Sequence, residues 1–259
     1  MQKFSIKLKG VHFAYPIKNK KESNKKTATS LSKGNVAEIH SLRNGGGLDR
    51  GVESPLKMRG NFSIDIEEFS PSLCTAIMGE NGSGKTTLGK LVAGIIRPDK
   101  GQIFYNQTDI KNLKLGEIGK QVGYLFQEPS RQIFAPNPLE EISFPLELRG
   151  ISKEDAQEKA HKLLKLFELE HIINHTTYTL SRGEKQRLAI AATMVCEPRF
   201  FVLDEPTTGL DKRRRHLLAE TLFILQEQGV GILLISHDRE FVNILGAEIR
   251  QMEGGKFID

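Results

Sequence analysis

The 259-residue sequence is 38% hydrophobic and carries a formal charge of +5, which supports one large core or two modest subdomains and excludes a fibrous or wholly disordered chain. No apolar run approaches the roughly 18 residues of a membrane span, and the opening MQKFSIKLKG lacks the apolar stretch of a signal peptide, so the chain is expected to stay in the cytoplasm. The charge is uneven. Residues 17–59 hold ten Lys or Arg against four Asp or Glu, which leaves the remainder near −1 and argues against a nucleic-acid groove in the folded part.

In chain order, Phe4, Ile6 and Leu8 alternate with polar residues, and so do Phe62, Ile64 and Ile66. This period of two predicts half-buried strands that neighbour each other in an antiparallel sheet. Between them, 17–59 is rich in Lys, Ser, Asn and Gly and is far longer than an ordinary connection, so it reads as a flexible basic insertion. From Leu73 onward, short apolar runs alternate with helical segments, the pattern of an α/β fold with a mostly parallel sheet. Strands are predicted at 73–78, 200–203 and 231–235, and a helix at 85–96, stopped by Pro98. Residues 129–179 read as a helical subdomain. Within them Ala156, Ala160, Leu163, Leu164 and Phe167 form one apolar face behind a Ser152/Asp155 capping pair. Cys74 and Cys196 have no metal-ligand spacing around them and are expected to be core thiols.

The chemistry concentrates at the carboxyl ends of the predicted strands, where ligands gather in such sheets. Gly79-Glu-Asn-Gly-Ser-Gly-Lys-Thr86 fits G-x-x-x-x-G-K-[ST] between a strand and a helix. The glycines let successive N–H groups point inward, and the helix beginning near Gly84 aims its positive end at the same anion. Lys85 would reach the β- and γ-phosphates of a nucleotide, and the Thr86 hydroxyl would ligate Mg²⁺. The strand at 200–203 runs into Asp204, which suits the metal, and Glu205, which suits a base or water-orienting role.

Further stretches then resemble ATP-binding-cassette (ABC) ATPases in the family's order. Leu180-Ser-Arg-Gly-Glu-Lys-Gln-Arg187 resembles the signature motif, with Arg182 and Glu184 departing from its usual form and Gly183 retained. Gln127 resembles the loop glutamine at the metal and attacking water. The run from Asp204 to Asp211 resembles the acidic strand end and the loop at the dimer interface. His237 resembles the switch histidine at the γ-phosphate, and Tyr15 the aromatic that stacks on adenine. The resemblance covers the chain outside the insertion, which makes 1–259 a single ABC domain: a phosphate-loop (P-loop) NTPase core, an N-terminal antiparallel β-subdomain and an inserted helical subdomain.

The resemblance also implies a site set. Glu205, His237 and Gln127 would be catalytic, and Thr86, Gln127 and Asp204 would hold Mg²⁺. ATP would be contacted by Tyr15, by Gly79, Glu80, Asn81, Gly82, Ser83, Gly84, Lys85, Thr86 and Thr87, and across a dimer by Ser181, Gly183, Glu184 and Asp211. Ser181 is expected to cap the helix at 183–195 as well as to face a phosphate. Implied partners are a second ABC ATPase, identical or paralogous, in a head-to-tail dimer, and transmembrane transporter subunits that hold the chain at the cytoplasmic face of the membrane; nucleic acid is not among them. The stretches beginning at Gln127 and Glu140 resemble ATPases of energy-coupling-factor importers of vitamins or metal ions. The sequence ends at Asp259, short of the extra C-terminal segment many of those carry, so other ABC importers stay open as an alternative. Soluble ABC proteins acting on ribosomes or DNA usually carry two cassettes or long coiled coils, which are not seen here. A module without turnover is opposed by Glu205 and His237 standing together.

Overall fold

The computed structural model describes residues 4–15 and 63–258. Two units divide the chain, Met1–Ala14 with Ser63–Asp259, and Tyr15–Phe62; the insertion expected at 17–59 and Phe62 of the second alternating run lie outside the described residues. In the first unit, β1 (Ile6–Ala14) and β2 (Ser63–Phe69) pair antiparallel, with Leu8 opposite Phe69 and Ala14 opposite Ser63. Their alternation is the cause. Ile6, Leu8, Val11, Ile64 and Ile66 are buried while Lys9, Asp65 and Glu67 face out. Phe4 precedes the strand it was expected to join, and its ring packs edge-on against Tyr105, centroids 5.6 Å apart.

β3 (Cys74–Met78) is buried at every position and leads through a glycine-rich loop into α1 (Lys85–Val92). The helix ends four residues short of the expected 85–96 span. Gly94, at φ +66°, turns the chain: its N–H donates to the Leu91 carbonyl at 3.0 Å, and the Ile95 N–H reaches Lys90 at 2.9 Å, which closes the helix in a Schellman motif. Tyr105 adds a hydroxyl bond to the Val92 carbonyl at 2.7 Å. Gly94, rather than Pro98, is the stop.

β4 (Lys100–Tyr105) pairs with the free side of β1 and carries β5 (Thr108–Asp109), so the first sheet runs β2-β1-β4-β5. A short helix, α2 (Leu115–Gly119), then leads into β6 (Val122–Leu125). Residues 129–179 contain no strand. They hold α3 (Pro138–Glu147), capped by Asn137, and α4 (Lys153–Leu166), capped by Ser152, whose hydroxyl accepts the Asp155 N–H at 3.1 Å. The expected apolar face of α4 is buried at Ala156, Ala160 and Leu164, with Phe167 just beyond its end.

The chain continues through α5 (Arg182–Met194), β7 (Phe200–Asp204), α6 (Lys212–Glu227), β8 (Gly231–Ile235), α7 (Arg239–Ile244), β9 (Glu248–Glu253) and β10 (Lys256–Phe257). The second sheet runs β10-β9-β3-β8-β7-β6 and is parallel except at the β9–β10 hairpin. α1 presses on one face so closely that a Cβ on Gly89 would stand 2.8 Å from Ile235 Cδ1 and 3.1 Å from Val202 Cγ1. Its Leu88, Leu91 and Val92 are fully buried, each contributing about 1.5–3 kcal/mol. A second apolar cluster joins Leu203, Ile232 and Leu234 to residues of α3, α4, α5, α6 and α7. Cys74 lies in the core, and burial pushes its thiol up to about 12. Cys196 is only partly buried, at the margin of that cluster, so it is not the core thiol expected.

Candidate active site

The loop after β3 is shaped by three glycines with left-handed or similarly restricted backbones: Gly79 (φ +148°), Gly82 (φ +87°) and Gly84 (φ +108°). Gly79 has a second reason to be glycine, because a Cβ there would collide with the Met252 carbonyl oxygen of β9. Lys85, 7% exposed, folds its ammonium back onto the carbonyls of Gly79 and Glu80, both at 2.8 Å. Burial pulls its pKa down, opposed by the charges of Glu205 and Asp204. Thr87 is buried behind it, whereas Glu80, Asn81 and Gly82 are exposed at the loop's tip.

Parallel pairing aligns Ile77 of β3 with Ile235 of β8, and Asp204 of β7 with the same Ile235. The residues beyond these strand ends therefore meet at the phosphate loop. Asp204 is 1% exposed. Its Oδ2 accepts the Tyr124 hydroxyl at 3.3 Å, while Oδ1 is buried with no hydrogen-bond partner among the described residues. Burial raises the pKa of this carboxyl, tempered by the hydroxyls of Thr86 and Tyr124. A buried carboxylate with an unused oxygen beside a threonine hydroxyl is a hard-oxygen pair of the kind Mg²⁺ takes while keeping several waters.

Glu205 holds φ +52°, and its N–H donates to the Ile235 carbonyl at 2.8 Å. A left-handed backbone at a non-glycine residue is strain of the sort concentrated at functional sites. Its side chain is 13% exposed, with Oε1 buried and 3.5 Å from Nε2 of His237. Burial raises its pKa, against the lowering effect of His237 through charge and through its backbone N–H. His237, half exposed, sits two residues past β8, where the neighbouring Ser236 hydroxyl accepts the Asp238 N–H at 3.0 Å.

Gln127 is exposed two residues beyond β6. Leu125 pairs with Leu203, so Gln127 and Glu205 each stand two residues past that pair on adjacent strands. The Ser181 stretch lies apart, at the start of α5. The Ser181 hydroxyl accepts the Glu184 N–H at 3.3 Å, and Glu184 Oε2 accepts the Ser181 N–H at 2.8 Å and its hydroxyl at 2.7 Å, a closed capping box. The Ser181 hydroxyl holds the Glu184 carboxyl below its usual range. A Cβ on Gly183 would meet the Gly209 carbonyl at 3.0 Å, so the signature helix abuts the loop from Glu205 to Asp211. Arg182 is exposed. Asp211 caps α6, accepting the Arg214 N–H at 2.9 Å. Tyr15 follows β1 directly in the chain and belongs to the other unit.

Several residues that support the site escape sequence reading. Met252 backs Gly79, and Gly255 in the β9–β10 turn donates its N–H to the Ser83 carbonyl at 2.9 Å while accepting from Asp65 of β2 at 3.1 Å. Gln186 ties α5 to the loop after β7, donating to the Pro206 carbonyl at 3.1 Å. Nothing in the sequence marks the Tyr124 hydroxyl as a partner of Asp204.

The family model described as ABC transporter matches residues 63–208. A provisionally named ABC transporter ATP-binding protein of Pyrococcus horikoshii is 36% identical over 181 residues, 70% of each chain. The energy-coupling factor transporter ATP-binding protein EcfA2 of Caldanaerobacter subterraneus is 35% identical over 200 residues, 76% of this chain and 68% of that one. The chain spans only 34% of the length of another, longer, provisionally named relative from the same organism, at 38% identity over 196 residues. Among solved structures, the ATP-binding cassette MJ0796 bound to ADP and Pi has the same fold, with a TM-score of 0.73 and 23% identity over 98% of this chain and 97% of that one. The cbiO1 protein of Clostridium perfringens, described as part of an ABC transporter complex, gives 0.65 and 24%, covering all of this chain and 88% of the other.

Proposed function

This chain belongs to the ABC transporter family, and from that premise we propose that it binds and hydrolyses MgATP to drive a membrane transporter of the energy-coupling-factor importer type. The observation that carries the catalytic part is the Glu205 carboxylate, its Oε1 buried, its backbone strained, held 3.5 Å from His237 at the mouth of the phosphate loop. The importer type is supported by the likeness to EcfA2 and cbiO1.

In this reading the loop glycines turn N–H groups toward the triphosphate, and Lys85 leaves the Gly79 and Glu80 carbonyls to reach the β- and γ-phosphates. Glu205, with its pKa raised, takes a proton from the attacking water, and His237 orients it at the γ-phosphate. Asp204, Thr86 and Gln127 would hold Mg²⁺, which when bound offsets charge on the phosphates. Tyr15 would stack on adenine.

The N-terminus of α5, with Ser181, Gly183 and Glu184, would serve the nucleotide of a second copy or paralogue arranged head to tail, alongside Asp211. The helical subdomain at 129–179 is the surface offered to the transmembrane subunits. Phe134 and Phe144, 63% and 41% exposed with ring centroids 5.6 Å apart, rim a cleft of about 390 Å³ there, whose lining also carries Asn137, Glu140, Glu147 and Lys153, so a helix end entering it would meet apolar and polar groups together. No helix among the described residues is long and apolar enough to cross a membrane, so anchoring would come through those subunits. Reconstitution with the partner subunits in vesicles tests the reading: solute uptake that needs ATP and fails with Glu205→Gln supports it, and uptake indifferent to that substitution overturns it.

A further inference from the structure

Both ends of the Gln132 side-chain amide are engaged. Gln132 ends the 3₁₀ turn Pro129–Arg131, five residues after Gln127. Its Oε1 accepts the backbone N–H of Phe126 at 3.2 Å, and its Nε2 donates to the Thr193 hydroxyl at 2.8 Å and the Ala189 carbonyl at 3.4 Å, both on α5. Only one orientation of the amide works. Turned over, it would set NH₂ against an N–H and a carbonyl against a carbonyl. Thr193 is fixed in turn, its hydroxyl donating to Ala189 at 2.7 Å. Phe126 is the residue between β6 and Gln127, and its ring is held on Tyr124 at a centroid distance of 4.7 Å.

We propose that Gln132 is a positioning residue for ATP hydrolysis: by fastening the Phe126 N–H to α5, it sets where Gln127 stands relative to the metal and water. This rests on the role given to Gln127 above. A side chain at the start of an exposed loop has little else to fix it, since Gln127 follows the last paired residue of β6 by two positions. The same bonds tie that loop to the helix that begins with the signature. Displacement of α5 would therefore pull on Gln127 directly.

The test is steady-state hydrolysis by the full chain with its partners, comparing Gln127→Ala, Gln132→Met and the double variant. Gln132→Met keeps side-chain length and loses all three bonds. It is expected to lower kcat on the order of 10-fold, as small misplacements do, with the KM for ATP within about twofold of wild type. The double variant should be no slower than Gln127→Ala alone. Multiplying losses in the double variant, or an unchanged kcat in Gln132→Met while Gln127→Ala is impaired, overturns the inference alone. Wild-type turnover in Gln127→Ala overturns the role of Gln127 and the inference with it. Should Gln132→Met fail to fold, Thr193→Val removes the partner from the α5 side and is read by the same criteria.

Discussion

Oε1 of Glu205 lies 3.5 Å from Nε2 of His237, across the ends of the adjacent parallel strands β7 and β8. The Glu205 N–H is itself bound to β8 through the Ile235 carbonyl. The two side chains thus extend from the ends of one ladder.

Glu205→Gln keeps the shape and the backbone anchor while removing the charge and the basic lone pair. Turnover is expected to fall by at least about 100-fold, the lower end of general-base contributions, with ATP still bound. A shift toward dimer on a sizing column with MgATP should accompany the loss, provided the chain pairs with itself. Near wild-type hydrolysis by the partnered variant would show that another group is the base.

Lys85→Ala removes the one cation folded inside the loop. Hydrogen bonds to charged groups are worth about 1.5–3 kcal/mol, so ATP affinity by calorimetry should weaken by roughly 10-fold or more. Unchanged affinity would remove Lys85 from the phosphate contact.

Ala14 stands opposite Ser63 in the β1–β2 register, a separation that a short turn spans. Replacing 17–59 with a few Gly and Ser residues, keeping Tyr15, should leave ATPase activity in place. Loss of activity in a variant that folds would assign the insertion a part in the chemistry.

Glu141 is a buried carboxylate of α3 whose Oε2 accepts the N–H groups of Phe134 and Ala135 at 2.9 and 2.7 Å. Burial raises its pKa. A raised folded value means its contribution to stability is fully present below the unfolded pKa and is lost as pH rises through the folded one. Glu141→Gln can still accept both N–H groups and carries no charge. Its urea midpoint should therefore gain on wild type between about pH 4 and about pH 8. Glu141→Ala strands two N–H groups and should cost about 1–3 kcal/mol at either pH. Equal losses for Gln and Ala at the higher pH would refute the account.

What was legible in the sequence is local. The phosphate loop, Asp204-Glu205 and His237 announce themselves because each lies within a few residues of the strand that positions it, and alternation gave β1 beside β2. The helix end at Val92 is not legible, because Gly94 and the distant Tyr105 decide it while a proline downstream is the louder signal. Met252, Gly255 and Gln132 were invisible as site residues. Their roles exist only after β9 is laid against β3 and the 3₁₀ turn against α5, contacts that no period along the chain encodes.

The pairing of β3 with β8 and β9 also dictates an order of assembly. β3 is synthesised first, yet both of its sheet neighbours come from residues 231–253, and the turn that steadies Ser83 comes later still, at Gly255. Until those residues emerge, the apolar strand Cys74–Met78 has two unpaired edges, the kind of exposure that invites wrong partners. The nucleotide loop therefore leaves the ribosome before either strand that pairs with β3 and takes its shape only after them, so nascent chains stalled before residue 231 should depend on chaperones and bind no ATP.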